Sequence, residues 1–181
     1  MQGNSVKKID LSAYHPDIVD RLVTYLYTMN YADDDSEDSS QASTVSAAID
    51  IRMCTIAKNY DIEPLRQVAI KKFQALAEGW DVAFFDKFPQ STAKLVQLAY
   101  DGFDATAEIR ATLVGRMLAM SIEAGRNYTE KFSAIMLQSP EFAVDVASAS
   151  VERLLVKSVE ERVGLGTEET DGVEPVDGPS H

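Results

Sequence analysis

The sequence predicts a mostly α-helical chain with at most a small strand remnant, on three observations. Apolar residues recur at three-and-four spacing along His15–Tyr31 and again along Ile51–Phe73, the period of one helical face. Prolines stand in the first turn of predicted helices, at Pro16, Pro64 and Pro140, where a missing N–H leaves no hydrogen bond unmade. Only one run, Val6–Leu11 (VKKIDL), has the composition of a strand, with Val6, Ile9 and Leu11 as its half-buried residues.

The first helix is predicted over residues 16–29. Ile18, Val19, Leu22, Val23, Leu26 and Met29 form its inner face, and Asp17, Asp20, Arg21 and Thr24 the outer one. Asp17 and Arg21 stand one turn apart as an ion pair, and His15 sits at the N-cap. Residues 31–46 read as an acidic loop: Asp33, Asp34, Asp35, Glu37 and Asp38 lie among serines. Such a run could serve a cation or a basic partner, but like charges repel, and a solvated insert is the plainer reading.

A second helix follows over 45–59, with Val45, Ile49, Met53, Ile56, Ala57 and Tyr60 along one side. Cys54 lies beside that stripe without a histidine or basic cluster, as expected of a small buried hydrophobe rather than a nucleophile. A third helix over 62–78 is capped by Asp61, with Tyr60 placed to staple Leu65. Its inner face is Leu65, Val68, Ala69, Phe73 and Leu76; Arg66, Lys71 and Lys72 make a solvated basic patch outside. The aromatic run Gly79–Phe88 (Trp80, Phe84, Phe85, Phe88) reads as a hinge packing an extension onto the third helix, in preference to a ligand box.

Helices are then expected at 90–101, 105–124, 127–138 and 140–162. Asn127 and Glu130 have capping-box spacing, and Ser139–Pro140 pairs an N-cap with a first-turn proline. Asn127-Tyr128-Thr129 is also a glycosylation sequon, but no secretory signal supports its use. Residues 164–181 mix Gly, Pro and acids and are expected to be a disordered acidic tail. The chain thus divides into residues 1–78, a helical extension over 79–163, and the tail.

Composition narrows function. The five acids at 33–38 contribute −5, and seven acids against Arg162 from Glu160 onward contribute −6. Together these are 11 of the 12 excess negative charges. A basic stripe for nucleic acid is missing, and no apolar run approaches the ~20 residues of a membrane span. A single cysteine excludes an internal disulfide and suits an intracellular setting, cytoplasm or nucleus. His15 and His181 are the only histidines, and there is no glycine-rich phosphate loop, CxxC or HExxH. The expectation is a non-enzyme without cofactor, metal or small-molecule substrate.

Two pieces carry a family resemblance. IDLSAYHPDIVDRLVTYLYTMNY (Ile9–Tyr31) resembles the second half of a BTB (POZ) domain: a short strand, a proline-initiated helix and a YLYT-type exit. IRMCTIAKNYDIEPLRQVAIKKF (Ile51–Phe73) resembles the closing helical pair of that domain. The likeness spans roughly Val6 to Leu76. An acidic insert and a helical C-terminal extension resemble the fungal style of the family. It implies a partial BTB-like α+β fold over 1–78. It also implies a protein-interaction adaptor that self-associates and recruits partners such as a cullin-type ubiquitin ligase or transcriptional regulators.

Two departures qualify that implication. No counterpart of the family's first half precedes Met1. The hydrophobic-x-Glu motif of cullin-binding members is replaced by MQGNSVKK. The alternative is therefore a structural or vestigial helical domain without cullin binding. Tyr27, Met29, Asn30 and Tyr31, at the helix exit, are the candidate partner-binding residues; packing of both tyrosines is the competing reading. With the first half missing, Ile18, Leu22 and Ile49 are expected to form an exposed apolar patch through which the chain self-associates.

Overall fold

The computed structural model describes residues 10–33, 39–102, 104–124 and 129–165. Every regular element among them is a helix: α1 (Pro16–Thr28), α2 (Ser39–Asn59), α3 (Glu63–Glu78), α4 (Val82–Lys87), α5 (Pro89–Asp101), α6 (Ala107–Ala124), α7 (Thr129–Gln138) and α8 (Pro140–Leu165). The mostly α reading holds. Of the expected strand, residues 6–9 lie outside the described residues, and Asp10 and Leu11 are not in a strand. The Asn127–Glu130 cap and the sequon involve residues 127 and 128, also outside them, as are 34–38 of the acidic loop and 166–181 of the tail.

The hairpin of α2 and α3 is the centre of the molecule. α2 is buried on several sides, because α1, α3 and α5 all pack against it. Ala47, Ile49, Ile51, Met53, Cys54, Ile56 and Ala57 are all shielded from water. The turn to α3 is a left-handed C-cap: Asp61 has φ 57°, its N–H donates to Lys58 O at 3.3 Å, and the Ile62 N–H donates to Ala57 O at 2.8 Å. Asp61 therefore ends α2 and does not cap α3, whose N-cap is Ile62 without a side-chain hydrogen bond.

α3 buries Leu65, Ala69, Ile70, Phe73 and Ala77 against α2 and α6. Two of its three outer cations, Arg66 and Lys72, are engaged, which corrects the expectation of a solvated patch for them, while Lys71 is exposed as expected. Arg66 pairs with Glu63 at 2.9 Å and forks onto Glu108 of α6 at 2.8 and 3.0 Å. Bidentate contacts of this kind fix the orientation of two helices as well as joining them.

The aromatic run is a helix in its own right. Asp81 caps α4, accepting from the Phe84 N–H at 2.8 Å. Trp80 is buried, stacks on Phe84 at 5.0 Å and meets Phe73 and Phe85 edge-on. Its indole N–H donates to Ser43 Oγ at 3.0 Å. The aromatics satisfy one another, as the packing reading expects.

α5 and α6 are joined by a tight connection laid on α2. The Cys54 thiol donates to Ala105 O at 3.0 Å, and burial pushes its pKa up to about 11, the chemistry of a packed side chain and not of a nucleophile. A Cβ at Gly102 would stand 2.9 Å from Thr55 Oγ1, so only glycine fits there without a shift. α8 then packs its first turns on α6, α7 and α5. Phe142 meets the Tyr100 ring edge-on, and the Tyr100 hydroxyl donates to Asp145 at 2.6 Å.

α1 lies on α2 and presents Ile18, Leu22 and Tyr25. These sit at i, i+4 and i+7, so the buried stripe is narrower than the sequence pattern suggests. Val23, Leu26 and Met29 fall outside it and are exposed. The expected apolar patch is corrected: Ile18, Leu22 and Ile49 are 2%, 5% and 6% exposed and belong to one buried cluster. The physical reason is that the α1 and α2 faces expected to lack cover lie within one core.

Candidate functional site

The exit of α1 is built by local hydrogen bonding. His15 caps the start, its Nδ1 accepting from the Asp17 N–H at 3.4 Å. Arg21 does not pair with the Asp17 carboxylate. Its guanidinium donates to Asp17 O at 3.3 Å and to Ala32 O at 3.2 Å, drawing the segment after the helix back along its side. At the end, Met29 adopts φ 59° and its N–H donates to Tyr25 O at 2.7 Å. Methionine in this left-handed position is strained relative to glycine, so surrounding contacts must hold it.

Those contacts are present. The Thr28 hydroxyl lies 2.7 Å from Asn30 O, and Asn30 Oδ1 accepts from the Tyr31 N–H at 2.9 Å. The turn throws Tyr27 and Met29 outward, 87% and 63% exposed, with Asn30 also exposed beside them. Three of the four sequence-predicted residues therefore share an open surface. Tyr31 does not belong to it.

Tyr31 points into the core. Its hydroxyl donates to Asp50 Oδ1 at 2.6 Å, and the Asp50 carboxylate is wholly shielded from water. Lys72 of α3 donates to Tyr31 O at 3.0 Å and to Asp33 Oδ1 at 2.6 Å, and its ammonium lies 4.7 Å from the centre of the Tyr31 ring. Burial pushes Asp50 up to about 7, against the lowering effects of the Tyr31 hydrogen bond and the Lys72 charge; Asp33 adds to the rise. Burial and the Asp50 charge raise the Tyr31 phenol well above its usual range. Asp50 Oδ2 has no protein partner.

This cluster acts as an anchor beneath the exposed turn. It ties the end of α1 to α2 and α3 through one phenol, two carboxylates and one ammonium. Sequence reasoning passed over Asp50 and read Lys72 as part of a solvated patch. The signal for Asp50 was an acid between two isoleucines, Ile49 and Ile51, inside an apolar stretch.

Among the described residues, no group of three or more His, Cys, Asp and Glu side chains could hold a metal ion. No described helix is long and apolar enough to cross a membrane. Comparison with protein-family models, with curated proteins and with solved structures finds no match.

Proposed function

We propose that the chain is a non-catalytic interaction module, an adaptor of BTB (POZ) type that recruits a protein partner through the exit of α1. The observation that carries this reading is the exposed pair Tyr27 and Met29, with Asn30 beside them, on a turn held from below by the Tyr31–Asp50 contact. An aromatic ring and a flexible thioether presented on an anchored turn suit a protein partner: the ring supplies contact area and the thioether adapts to its pocket. The likeness of Ile9–Tyr31 and Ile51–Phe73 to the BTB fold supports a cullin-type ubiquitin ligase or a transcriptional regulator as that partner.

The competing reading is a structural helical domain without cullin binding. It draws on the burial of Ile18, Leu22 and Ile49, which leaves α1 and α2 covered without a further domain half.

Titration calorimetry with a cullin N-terminal domain, and separately with a corepressor fragment that binds BTB domains, tests the proposal. Binding of one of them, weakened at least ~10-fold by Tyr27→Ala with Met29→Ala, is the expected result. Absence of binding to both, or binding indifferent to the double change, would favour the structural domain.

A further inference from the structure

The outer face of α8 carries an apolar stripe that nothing among the described residues covers. Val144, Val151, Leu154, Leu155 and Val159 are 55–68% exposed, and Ala147, Ser148 and Ser158 are exposed between them. At about 100° per residue these eight side chains fall within one arc of the helix. Phe142, Val146 and Ala149, which pack inward, lie on the opposite side. Arg153, Lys157 and Glu160 lie outside the arc, as does Val156, itself 58% exposed, so the arc is an apolar surface on a helix whose last turns are exposed all round.

The rest of the chain offers little to cover it. Residues 166–181 hold two aliphatic side chains, Val173 and Val176, among five acids, and residues 1–9 scatter Met1, Val6 and Ile9 among polar residues. A net charge of −12 disfavours anionic lipid and nucleic acid as occupants.

We infer that a second copy of this chain covers the stripe, α8 against α8, antiparallel about a two-fold axis at Val151. Steric self-complementarity supports this occupant. With Val151 facing its own counterpart, Leu154 and Ala147 lie on one side of the contact line, and Leu155 and Ser148 on the other. In an antiparallel pair, same-side residues equally far above and below the axis meet. Leu154 of one copy then enters the gap over Ala147 of the second, Leu155 the gap over Ser148, and Val144 meets Ser158. Leu154 and Leu155 thus each face a small residue, as close approach of two helices requires, Val151 meets its own counterpart at the axis, and the contact is the same patch on both copies, as a two-fold interface requires.

The area is on the order of 500 Å² per copy, at the weak end of specific interfaces. The two Glu152 side chains flank the axis on the same side, and both copies are acidic, so association tightens as salt rises from about 0.05 to about 0.5 M. The inference stands independently of the α1 exit, on a different helix.

Sedimentation of the full chain from about 1 to about 100 μM tests it. A concentration-dependent dimer is expected, and Val151→Arg should weaken it at least ~100-fold by burying two like charges at the axis. Val151→Cys should give a disulfide-linked dimer under mild oxidation, whereas Arg153→Cys, on the far side of the helix, should not. Both are exposed positions, so circular dichroism should show unchanged helix content. Tyr27→Ala with Met29→Ala should leave sedimentation unchanged, which separates this test from that of partner recruitment. A monomer throughout the range would overturn the inference. So would a dimer that survives Val151→Arg while Val151→Cys stays unlinked.

Discussion

The Tyr31 hydroxyl sits 2.6 Å from the Asp50 carboxylate, and both side chains are closed to solvent. A buried acid held this way makes stability depend on pH. The folded pKa of Asp50 is about 7 against 3.8 for an ordinary aspartate, so the folded chain holds its proton over a range where the unfolded chain has lost it. This contribution is full below about pH 4, declines as pH rises towards 7, and is gone above. Urea unfolding should show this group alone costing about 2 kcal/mol between pH 5 and pH 8. Asp50→Asn should lose that share of the decline; equal declines in both proteins would contradict the assignment.

Removing the phenol tests the same contact from its other end. Tyr31→Phe keeps the ring under Lys72 but leaves Asp50 without its donor. Stability at pH 8 should fall by about 1–3 kcal/mol, the cost of a buried acceptor left unsatisfied. At pH 5, where the carboxyl is largely protonated, the loss should be smaller. An equal loss at both pH values would mean the effect is packing.

Two glycines should respond in opposite ways to alanine. At Gly102 the new Cβ would meet Thr55 Oγ1 at 2.9 Å and Thr106 Cγ2 at 3.2 Å, so the connection between α5 and α6 must shift off α2. A loss of about 1–3 kcal/mol is expected. At Gly79 the nearest atom is Leu76 O at 3.6 Å and the backbone is helical, so Gly79→Ala should be neutral or stabilising by up to about 1 kcal/mol. Thermal melts of the two variants decide between them.

Trp80 joins α4 to α3 and, through Ser43, to α2. Trp80→Ala should cost about 3–5 kcal/mol, the range for a large buried aromatic. Ser43→Ala removes only the indole's acceptor and should cost about 1 kcal/mol. Chemical denaturation of both would show whether the aromatic cluster is structural; a near-neutral Trp80→Ala would contradict its placement.

Much of this architecture was legible in the sequence. Pro16, Pro64 and Pro140 mark the first turns of α1, α3 and α8, and three-and-four spacing locates the bodies of α1 and α3. α4 was missed because a run of four aromatics within nine residues, Trp80 to Phe88, shows no period of its own. The first turns of α2, rich in serine and alanine, carry no apolar signal, so the helix appeared to begin six residues late, at 45 instead of Ser39. Helix phase decided the rest of α1: Tyr25 aligns with Ile18 and Leu22, so Leu26 turns outward despite being the more apolar side chain. At the exit, Tyr27, Met29 and Asn30 are exposed, although the apolar spacing also placed Met29 on the inner face of α1. The anchoring of Tyr31 left no local signal, because its partners Asp50 and Lys72 lie 19 and 41 residues away and only the fold brings them together.

The proposed recruitment of a partner by the α1 exit can be watched directly at one methyl group. In a chain labelled at methionine methyls, Met29 is exposed, while Met53 and Met120 are buried and serve as internal controls. Adding a cullin N-terminal domain or a BTB-binding corepressor fragment should shift or broaden the Met29 resonance while those of Met53 and Met120 stay in place. A Met29 signal unmoved by either partner at about 100 μM, above any dissociation constant useful to an adaptor, would contradict the account.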